Sequence, residues 1–160
     1  MKHLKVNDKA PHFESKDQHG KVFNSESLKG KNYVLYFYPK DMTPGCTVQA
    51  CNLRDNYALL KEKEIDIIGV SMDSEMSHIK FIEKHELPFT LLSDTDRSVV
   101  EAFGVYGEKK FMGKIYEGIH RTSFLVNKEG NIIGIIESPN TKAHTEEILP
   151  FFLKLNKVRN

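Results

Sequence analysis

The sequence predicts an α/β fold in which helices flank a central mixed β-sheet. Two continuous apolar runs, "NYVLYFYP" and "EIDIIGVSMD", are typical of strands that are buried on both faces of a sheet. A segment with helical periodicity follows each run, and this alternation implies parallel strands joined by crossover helices. Two further strands near the C-terminal end add antiparallel pairing.

The first half of the chain begins with a predicted hairpin. Apolar positions alternate in "HFESKDQHGKVFN" on either side of the turn residues 17–20. The buried run 32–39 is the first central strand. A helix is predicted from about Pro44 to Glu62, with Thr43 as its N-cap and Pro44 at its first position. An N–H at the first position has no partner within the helix, so its absence in proline costs nothing there.

The second half alternates in the same way. The strand 64–73 is followed by the helix "SEMSHIKFIEKHE", for which Asp73 is the predicted N-cap. A short strand at "FTLLSD" precedes a short helix at "RSVVEAFG", with Gly104 suited to the C-cap. "IHRTSFLVNKEGNIIGIIES" predicts two strands with a turn at 127–130, and "KAHTEEILPFFLKLN" predicts a last helix that Pro150 should bend. This order is that of a thioredoxin-like fold with an N-terminal β-hairpin extension, formed as one domain over residues 1–160.

Composition and charge exclude several classes of function. The 160 residues carry a formal net charge of +1, which gives no basic surface for nucleic acid or an anionic membrane. No apolar run is long enough to span a bilayer, and the N-terminal residues lack the apolar core of a secretory signal. With two cysteines and no secretory signal, the expected location is the reducing cytoplasm.

Both cysteines lie in "TPGCTVQACNLRD". Cys46 is the third residue of the predicted helix, where backbone N–H groups lack intrahelical partners and the helix dipole favours a negative charge, so a thiolate is stabilised there. Cys46 also begins an apolar stripe at helical spacing, which continues with Ala50, Leu53, Tyr57 and Leu60. Cys46 is therefore expected to lie in a pocket rather than on open surface.

Four interpretations of the pair compete on geometry alone. In an intact helix the Cα atoms of Cys46 and Cys51 are about 8.7 Å apart, whereas a disulfide needs roughly 4.4–6.8 Å, so a static disulfide fits poorly. A zinc site usually needs four ligands at short spacings, and no histidine lies in this segment. Two small buried core residues, or a redox pair that bonds only when the helix unwinds, remain open.

A wider pattern extends beyond the cysteines. Pro39, Thr43 and Cys46 form P-x-x-x-T-x-x-C, and Arg121 stands in "GIHRTSFLV" further along the chain. Together with "TPGCTVQACNLRD", "LLSD" and "FMGK", this pattern resembles the peroxiredoxins, and within them the peroxiredoxin Q or bacterioferritin comigratory protein subfamily. The resemblance extends over nearly the whole domain.

The resemblance implies a thioredoxin-dependent thiol peroxidase. Cys46 would attack the O–O bond of hydrogen peroxide or an organic hydroperoxide and become a sulfenic acid, and Cys51 would resolve it as an intrachain Cys46–Cys51 disulfide. Thr43 would bond the thiolate and the peroxide oxygen, or act only as an N-cap. Arg121 would pair with the thiolate, or form only a structural ion pair. Pro39 would shield the sulfur, or only end its strand.

The resemblance also sets the expected partners. The reductant is expected to be thioredoxin or a similar dithiol, the chain is expected to be a monomer, and no metal or other cofactor is implied. One departure is Gln49, where the subfamily commonly has Glu. A disulfide oxidoreductase is the first rival, although it would be expected to use Cys-x-x-Cys. A non-enzymatic redox sensor is the second, and turnover of peroxide by the isolated protein would separate it from an enzyme.

Overall fold

The computed structural model describes the backbone of residues 3–159 and the side chains of residues 3–153. The strands are β1 (Glu14–Asp17), β2 (Val22–Asn24), β3 (Asn32–Phe37), β4 (Ile65–Ser71), β5 (Thr90–Ser93), β6 (Tyr106–Phe111), β7 (Lys114–Ile119), β8 (Thr122–Val126) and β9 (Ile132–Glu137). The helices are α1 (Pro44–Asp55), α2 (Tyr57–Glu62), α3 (Glu75–His85), α4 (Ser98–Ala102) and α5 (His144–Arg159). A single 3-10 turn at Ser25–Leu28 follows β2.

A mixed sheet organises the described part of the chain, in the strand order β2-β1-β5-β4-β3-β8-β9. Strand β3 lies in the interior of the sheet, with β4 parallel on one side and β8 antiparallel on the other. The fold predicted from the sequence, a mixed sheet with an N-terminal hairpin and flanking helices, is confirmed.

Two hydrophobic cores cover the two faces of the sheet, and β3 contributes to both by alternation. Tyr33, Leu35 and Phe37 face the first core, in which the rings of Phe103 and Phe124 meet with centroids 5.0 Å apart. Val34, Tyr36 and Tyr38 face the second core, which also contains residues of α1, α3 and α5. Cys46 belongs to this second core, as the apolar stripe of its helix predicts.

Several element predictions hold in detail. The hairpin pairs Ser15 with Phe23, and the turn before β9 is closed by the Gly130 N–H on the Asn127 carbonyl. Gly104 follows α4 with a φ of +69°, a left-handed conformation that glycine adopts without strain. Helix α5 contains Pro150.

Two element predictions need correction, and one element was missed. The helix from Pro44 to Glu62 is divided into α1 and α2 at Asn56. Ser74, not Asp73, caps α3, because its hydroxyl accepts from the Ser77 N–H whereas the Asp73 carboxylate accepts from Ser71 and from the Asp41 N–H. The hairpin of β6 and β7 was not predicted, since its strands are largely exposed and lack alternating apolar residues.

The topology brings distant segments to one edge of the sheet. Strand β3 ends where the antiparallel strand β8 begins, with Phe37 paired to Thr122. The loop 38–43 that leaves β3 and the residue before β8, Arg121, therefore lie side by side. The N-terminus of α1 starts at the same edge, directly after the loop.

The structure gives no sign of a segment built to cross a lipid bilayer: over residues 3–159, every helix falls short of the required length and apolar character.

Candidate active site

The site is built around Cys46, whose side chain is free and only 2% exposed. Pro44 occupies the first turn of α1, and the first hydrogen bond there runs from the Thr47 N–H to the Thr43 carbonyl. The Cys46 N–H therefore precedes the intrahelical ladder and remains available as a donor at the helix N-terminus. The positive end of the helix dipole is therefore directed at the buried sulfur.

Arg121 reaches this sulfur from the start of β8. Its Nη2 donates to Cys46 Sγ over 3.2 Å, and its Nη1 donates to Gln49 Oε1 over 2.6 Å. Both acceptors lie on α1 three residues apart, so one guanidinium spans two adjacent positions on one helix face. Gly45 leaves room for the guanidinium, because a Cβ at this position would lie only 3.3 Å from Arg121 Nη2.

Read as one strand, "GIHRTSFLV" would place Arg121 on the same face as Ile119, Ser123 and Leu125. Leu125 packs in the second core with Cys46, as expected, but Ile119 packs in the first core. The reason is that "GIHRTSFLV" is not one strand: β7 ends at Ile119 and β8 begins at Thr122, in different sheets. His120 turns its Nε2 toward the Glu108 carbonyl of β6.

Thr43 occupies the N-cap position with an extended backbone, but its side chain makes no capping hydrogen bond. Its hydroxyl instead donates to the Lys40 carbonyl over 2.7 Å, so the predicted N-cap bond is wrong. A hydroxyl whose proton is used in this way still offers its lone pairs to an approaching donor. Pro39 is half-buried at the start of the same loop.

Lys109 is a second cation near the site that the sequence did not indicate. Its Nζ donates to the Ile119 carbonyl over 2.8 Å. Burial lowers the pKa of Lys109 below the ordinary lysine value, and the charge of Arg121 adds to this effect while Cys46 opposes it. The β6–β7 hairpin thus brings a partly desolvated amine close to the guanidinium and the thiol.

Cys51 lies on the same helix, half-buried and free. Its Sγ lies 3.9 Å from Nδ1 of His85 at the end of α3. Both thiols are therefore presented on one intact helix, the arrangement in which the sequence predicts that they cannot bond to each other.

The loop before α1 is anchored by a buried polar network of five residues: Tyr38, Asp41, Asp73, Ser77 and His78. The carboxylate of Asp41 accepts from the Tyr38 hydroxyl at 2.6 Å and from the Ser77 hydroxyl at 2.8 Å, and it lies 2.7 Å from Nδ1 of His78. Nε2 of His78 faces the Leu92 carbonyl at 2.9 Å. Both ring nitrogens of His78 therefore lie at hydrogen-bond distance from oxygens of the network and of β5.

Asp41, Asp73 and His78 also have the composition of a metal site, with ligand atoms within 4.8 Å of one another. These atoms are already engaged: His78 Nδ1 and the Asp41 carboxylate contact each other, and Asp73 accepts from the Asp41 N–H and the Ser71 hydroxyl. An ion would have to replace these hydrogen bonds, so we interpret the cluster as a loop anchor.

Sequence reasoning singled out Cys46, Cys51, Thr43, Arg121 and Pro39, and the structure places Cys46, Thr43 and Arg121 at one edge of the sheet. It did not assign Gln49 as the partner of Arg121, although Gln49 lies three residues after Cys46 and so on the same helix face. It also missed Asp41. The available signal was the position of this carboxylate, between an apolar strand and the start of a helix. The contact between Cys51 and His85 joins residues 34 positions apart and has no local signal.

Comparison with known proteins places this site in context. The AhpC/TSA family matches residues 6–135 of the chain. The peroxiredoxin Bcp of Escherichia coli strain K12 is 49% identical over 149 residues, which cover 93% of this chain and 96% of that protein.

Solved structures agree with the fold. The peroxidoxin BcpB of Mycobacterium tuberculosis superposes with a TM-score of 0.84 at 32% identity, covering 95% of this chain and 98% of that one. The bacterioferritin comigratory protein of Xanthomonas campestris, studied in trapped intermediate and ligand complexes of alkyl peroxide reduction, superposes with a TM-score of 0.83 at 31% identity, covering 89% and 90%.

Proposed function

Since the chain belongs to the AhpC/TSA family, among the Bcp and peroxiredoxin Q peroxiredoxins, we propose that it is a peroxidase in which Cys46 is the nucleophile and Cys51 the resolving thiol. The observation that carries this proposal is the contact between Arg121 and Cys46, 3.2 Å long, at the N-terminus of a helix. A guanidinium and a helix N-terminus both favour the thiolate, which is the reactive form of cysteine.

In the first step the Cys46 thiolate attacks one oxygen of a hydroperoxide. The S–O bond forms as the O–O bond breaks, the sulfur becomes a sulfenic acid, and the departing oxygen takes up a proton to leave as water or an alcohol. Negative charge moves from sulfur toward the departing oxygen, so fixed donors aimed along this path lower the barrier. Arg121 and the Cys46 N–H are such donors.

We assign to Thr43 the contact with the peroxide that the resemblance implies, with the threonine oxygen as the acceptor. Its hydroxyl proton is directed to the Lys40 carbonyl, so Oγ1 can accept the O–H of the incoming hydroperoxide. A peroxide held by Thr43 and Arg121 would have its reacting oxygen turned toward the sulfur. Pro39, half-buried beside them, would limit the access of water.

In the second step Cys51 attacks the sulfenic acid. The Cys46–Cys51 disulfide forms, the S–O bond breaks, and water is released. Because an intact helix separates the two Cα atoms by about 8.7 Å, this step requires α1 to unwind in its first turns. A dithiol reductant then restores both thiols by exchange.

The finer assignments belong to the same proposal. Hydrogen peroxide and organic hydroperoxides are the proposed substrates, supported by the alkyl peroxide reduction described for the Xanthomonas campestris protein. Thioredoxin or a similar dithiol is the proposed reductant. We propose that the protein is a monomer of one domain and lies in the cytoplasm. We also propose that it needs no metal or organic cofactor, because sulfur performs each chemical step.

The test is peroxide consumption coupled to thioredoxin, thioredoxin reductase and NADPH, with the parent compared to Cys46→Ser and Cys51→Ser. We expect the parent to turn over, Cys46→Ser to be inactive, and Cys51→Ser to consume one equivalent of peroxide without recycling through thioredoxin. If the reduced parent does not consume peroxide even once, the proposal of a peroxidase is wrong, and the non-enzymatic redox sensor becomes the favoured interpretation.

A further inference from the structure

The imidazole of His85 lies against the thiol of Cys51, at a point that the chemistry of Cys46 does not use. Nδ1 of His85 is 3.9 Å from Cys51 Sγ, within the range of a hydrogen bond to sulfur. Resolution of the sulfenic acid needs a thiolate at Cys51, and a thiol becomes a thiolate only when a base takes its proton. We propose that His85 is this base, so that it is a catalytic residue of the resolving step; the inference rests on the proposed role of Cys51.

His85 is in the right protonation state for this task. Burial lowers the pKa of His85, and the neighbouring charges of Lys84 and Arg54 lower it further. The ring is therefore neutral at neutral pH, with one nitrogen free to accept a proton. The charged and titratable groups around it are Lys84 on α3, Cys51 and Arg54 on α1, and Glu86 directly after α3.

The backbone on both sides of the contact is held in place. Arg54 Nη1 donates to the His85 carbonyl over 2.8 Å, which ties the end of α3 to α1 one turn beyond Cys51. The Asn52 side chain accepts from the Thr145 N–H and hydroxyl and donates to the Lys142 carbonyl. Phe81 packs against the imidazole at a centroid distance of 5.4 Å, edge to face.

These anchors determine which cysteine moves. Cys51 lies next to Asn52, whose side chain is hydrogen-bonded to Thr145 at the start of α5. The N-terminal turn of α1 is held instead by the contacts of Arg121 with Cys46 and Gln49. Oxidation of Cys46 replaces the thiolate that Arg121 binds, so the N-terminal turn is the part that can unwind. Cys46 then moves toward Cys51, which keeps its contact with His85.

The proton and electron balance is complete without another reagent. Nδ1 of His85 takes the Cys51 proton, the thiolate forms the S–S bond with Cys46 as the S–O bond breaks, and the departing hydroxide takes the proton from the imidazolium to leave as water. The base is thus regenerated in each cycle. An ordinary thiol is about 3% ionised at pH 7, so full ionisation can raise the rate by at most about thirtyfold.

The experiment measures the two chemical steps separately. The chain has no tryptophan, so reduced protein is mixed with hydrogen peroxide, quenched with an alkylating reagent at successive times and analysed by mass spectrometry, which distinguishes thiol, sulfenic acid and disulfide. The variants are His85→Gln, which keeps a polar side chain, and His85→Phe, which keeps the ring against Phe81. His12→Gln, a substitution of an exposed histidine near the N-terminus, is the matched control.

We expect both His85 variants to form the sulfenic acid at the parental rate and the disulfide several-fold to about thirtyfold more slowly at pH 7, thirtyfold being the limit that thiol ionisation sets. The rate of the disulfide step should rise more steeply with pH in the variants than in the parent, and the difference should vanish where the thiol ionises unaided. Parental rates and an unchanged pH profile in both variants overturn the role of His85. A parent that forms no Cys46–Cys51 disulfide overturns the proposed resolving step itself, which is a distinguishable result.

Discussion

At the scale of single residues, the guanidinium of Arg121 connects the start of β8 to helix α1. It contacts Cys46 Sγ with one nitrogen and Gln49 Oε1 with another. Gln49 is fully buried and neutral, and its Nε2 has no hydrogen-bond partner among the described residues. Gln49 therefore orients the guanidinium without neutralising it, so that the positive charge acts on the sulfur.

Replacement of Arg121 tests this arrangement. Arg121→Gln should lower the rate constant for oxidation of Cys46 by about 10²–10³-fold, the usual cost of one lost transition-state donor. Arg121→Lys keeps the charge but not the two-pronged geometry, so its rate should lie between those of the parent and of Arg121→Gln. Quenched-flow mass spectrometry gives the rates, and Arg97→Gln, at an exposed arginine beside Tyr106, is the control. A parental rate in Arg121→Gln would contradict the assignment.

At the scale of elements, α1 is anchored at both ends of the segment that the proposed resolving step would unwind. Asp41, just before the helix, is bound in the network with His78, and their side chains are 1% and 0% exposed. Asn52, just after Cys51, is bound to the start of α5. We expect these two residues to bound the unit that opens in the proposed resolving step.

The anchor before α1 can be tested by a double-mutant cycle. Asp41→Ala or His78→Leu alone should each cost about 1–3 kcal/mol of unfolding free energy, because each leaves a buried polar partner without its hydrogen bond. The double variant leaves neither partner behind, so its loss should fall short of the sum, with a coupling of about 0.5–2 kcal/mol. Urea unfolding gives the values. Strict additivity would show that the two side chains do not act as a pair.

The anchor after Cys51 is tested by Asn52→Ala. Loss of its hydrogen bonds to Thr145 and Lys142 should cost about 1–3 kcal/mol and increase local opening of α1. Hydrogen exchange measured by mass spectrometry should become faster over residues 44–55, with little change in the central strands. Asn56→Ala, whose amide bonds to the Asn52 carbonyl at the end of the same helix, is the control. Equal exchange in parent and variant would place the boundary elsewhere.

At the scale of the whole molecule, the sheet brings residues from distant parts of the chain to one edge. Much of this could be predicted from the sequence, because β3 and β4 are continuous apolar runs and the helix of Cys46 carries a regular stripe. The β6–β7 hairpin could not, because Phe111, Met112 and Ile115 are exposed and give no inward-outward alternation. The anchor of Asp41 and the contact of Cys51 with His85 depend on how α3 packs, which no local pattern specifies.

A buried histidine links stability of the whole fold to pH. His144 is fully buried, with Nε2 2.7 Å from the Ser123 hydroxyl and Nδ1 3.0 Å from the Glu147 carboxylate. Burial lowers the pKa of His144, although Glu147 opposes this effect. The unfolded chain therefore binds the proton more readily. Stability contributed by neutral His144 is present above about pH 6.5 and is lost as the pH falls through the lowered folded pKa.

Unfolding free energies measured in urea at a series of pH values test this linkage. The parent should lose stability on acidification below about pH 6.5, and His144→Asn should show a smaller loss over the same range. His85, whose pKa is also lowered, accounts for part of the slope that remains. His12→Gln serves as the control and should follow the parent. The same slope in His144→Asn and in the parent would contradict the linkage.

The most direct test of the central claim is the product of one reaction with peroxide. Reduced protein is treated with one equivalent of hydrogen peroxide, alkylated and digested with trypsin, which releases residues 41–54 as one peptide because Lys40 and Arg54 bound it. This peptide should lose two hydrogens and take up no alkyl group, and neither Cys46→Ser nor Cys51→Ser should give such a product. A peptide that remains fully alkylated, or two copies joined between chains, would contradict it.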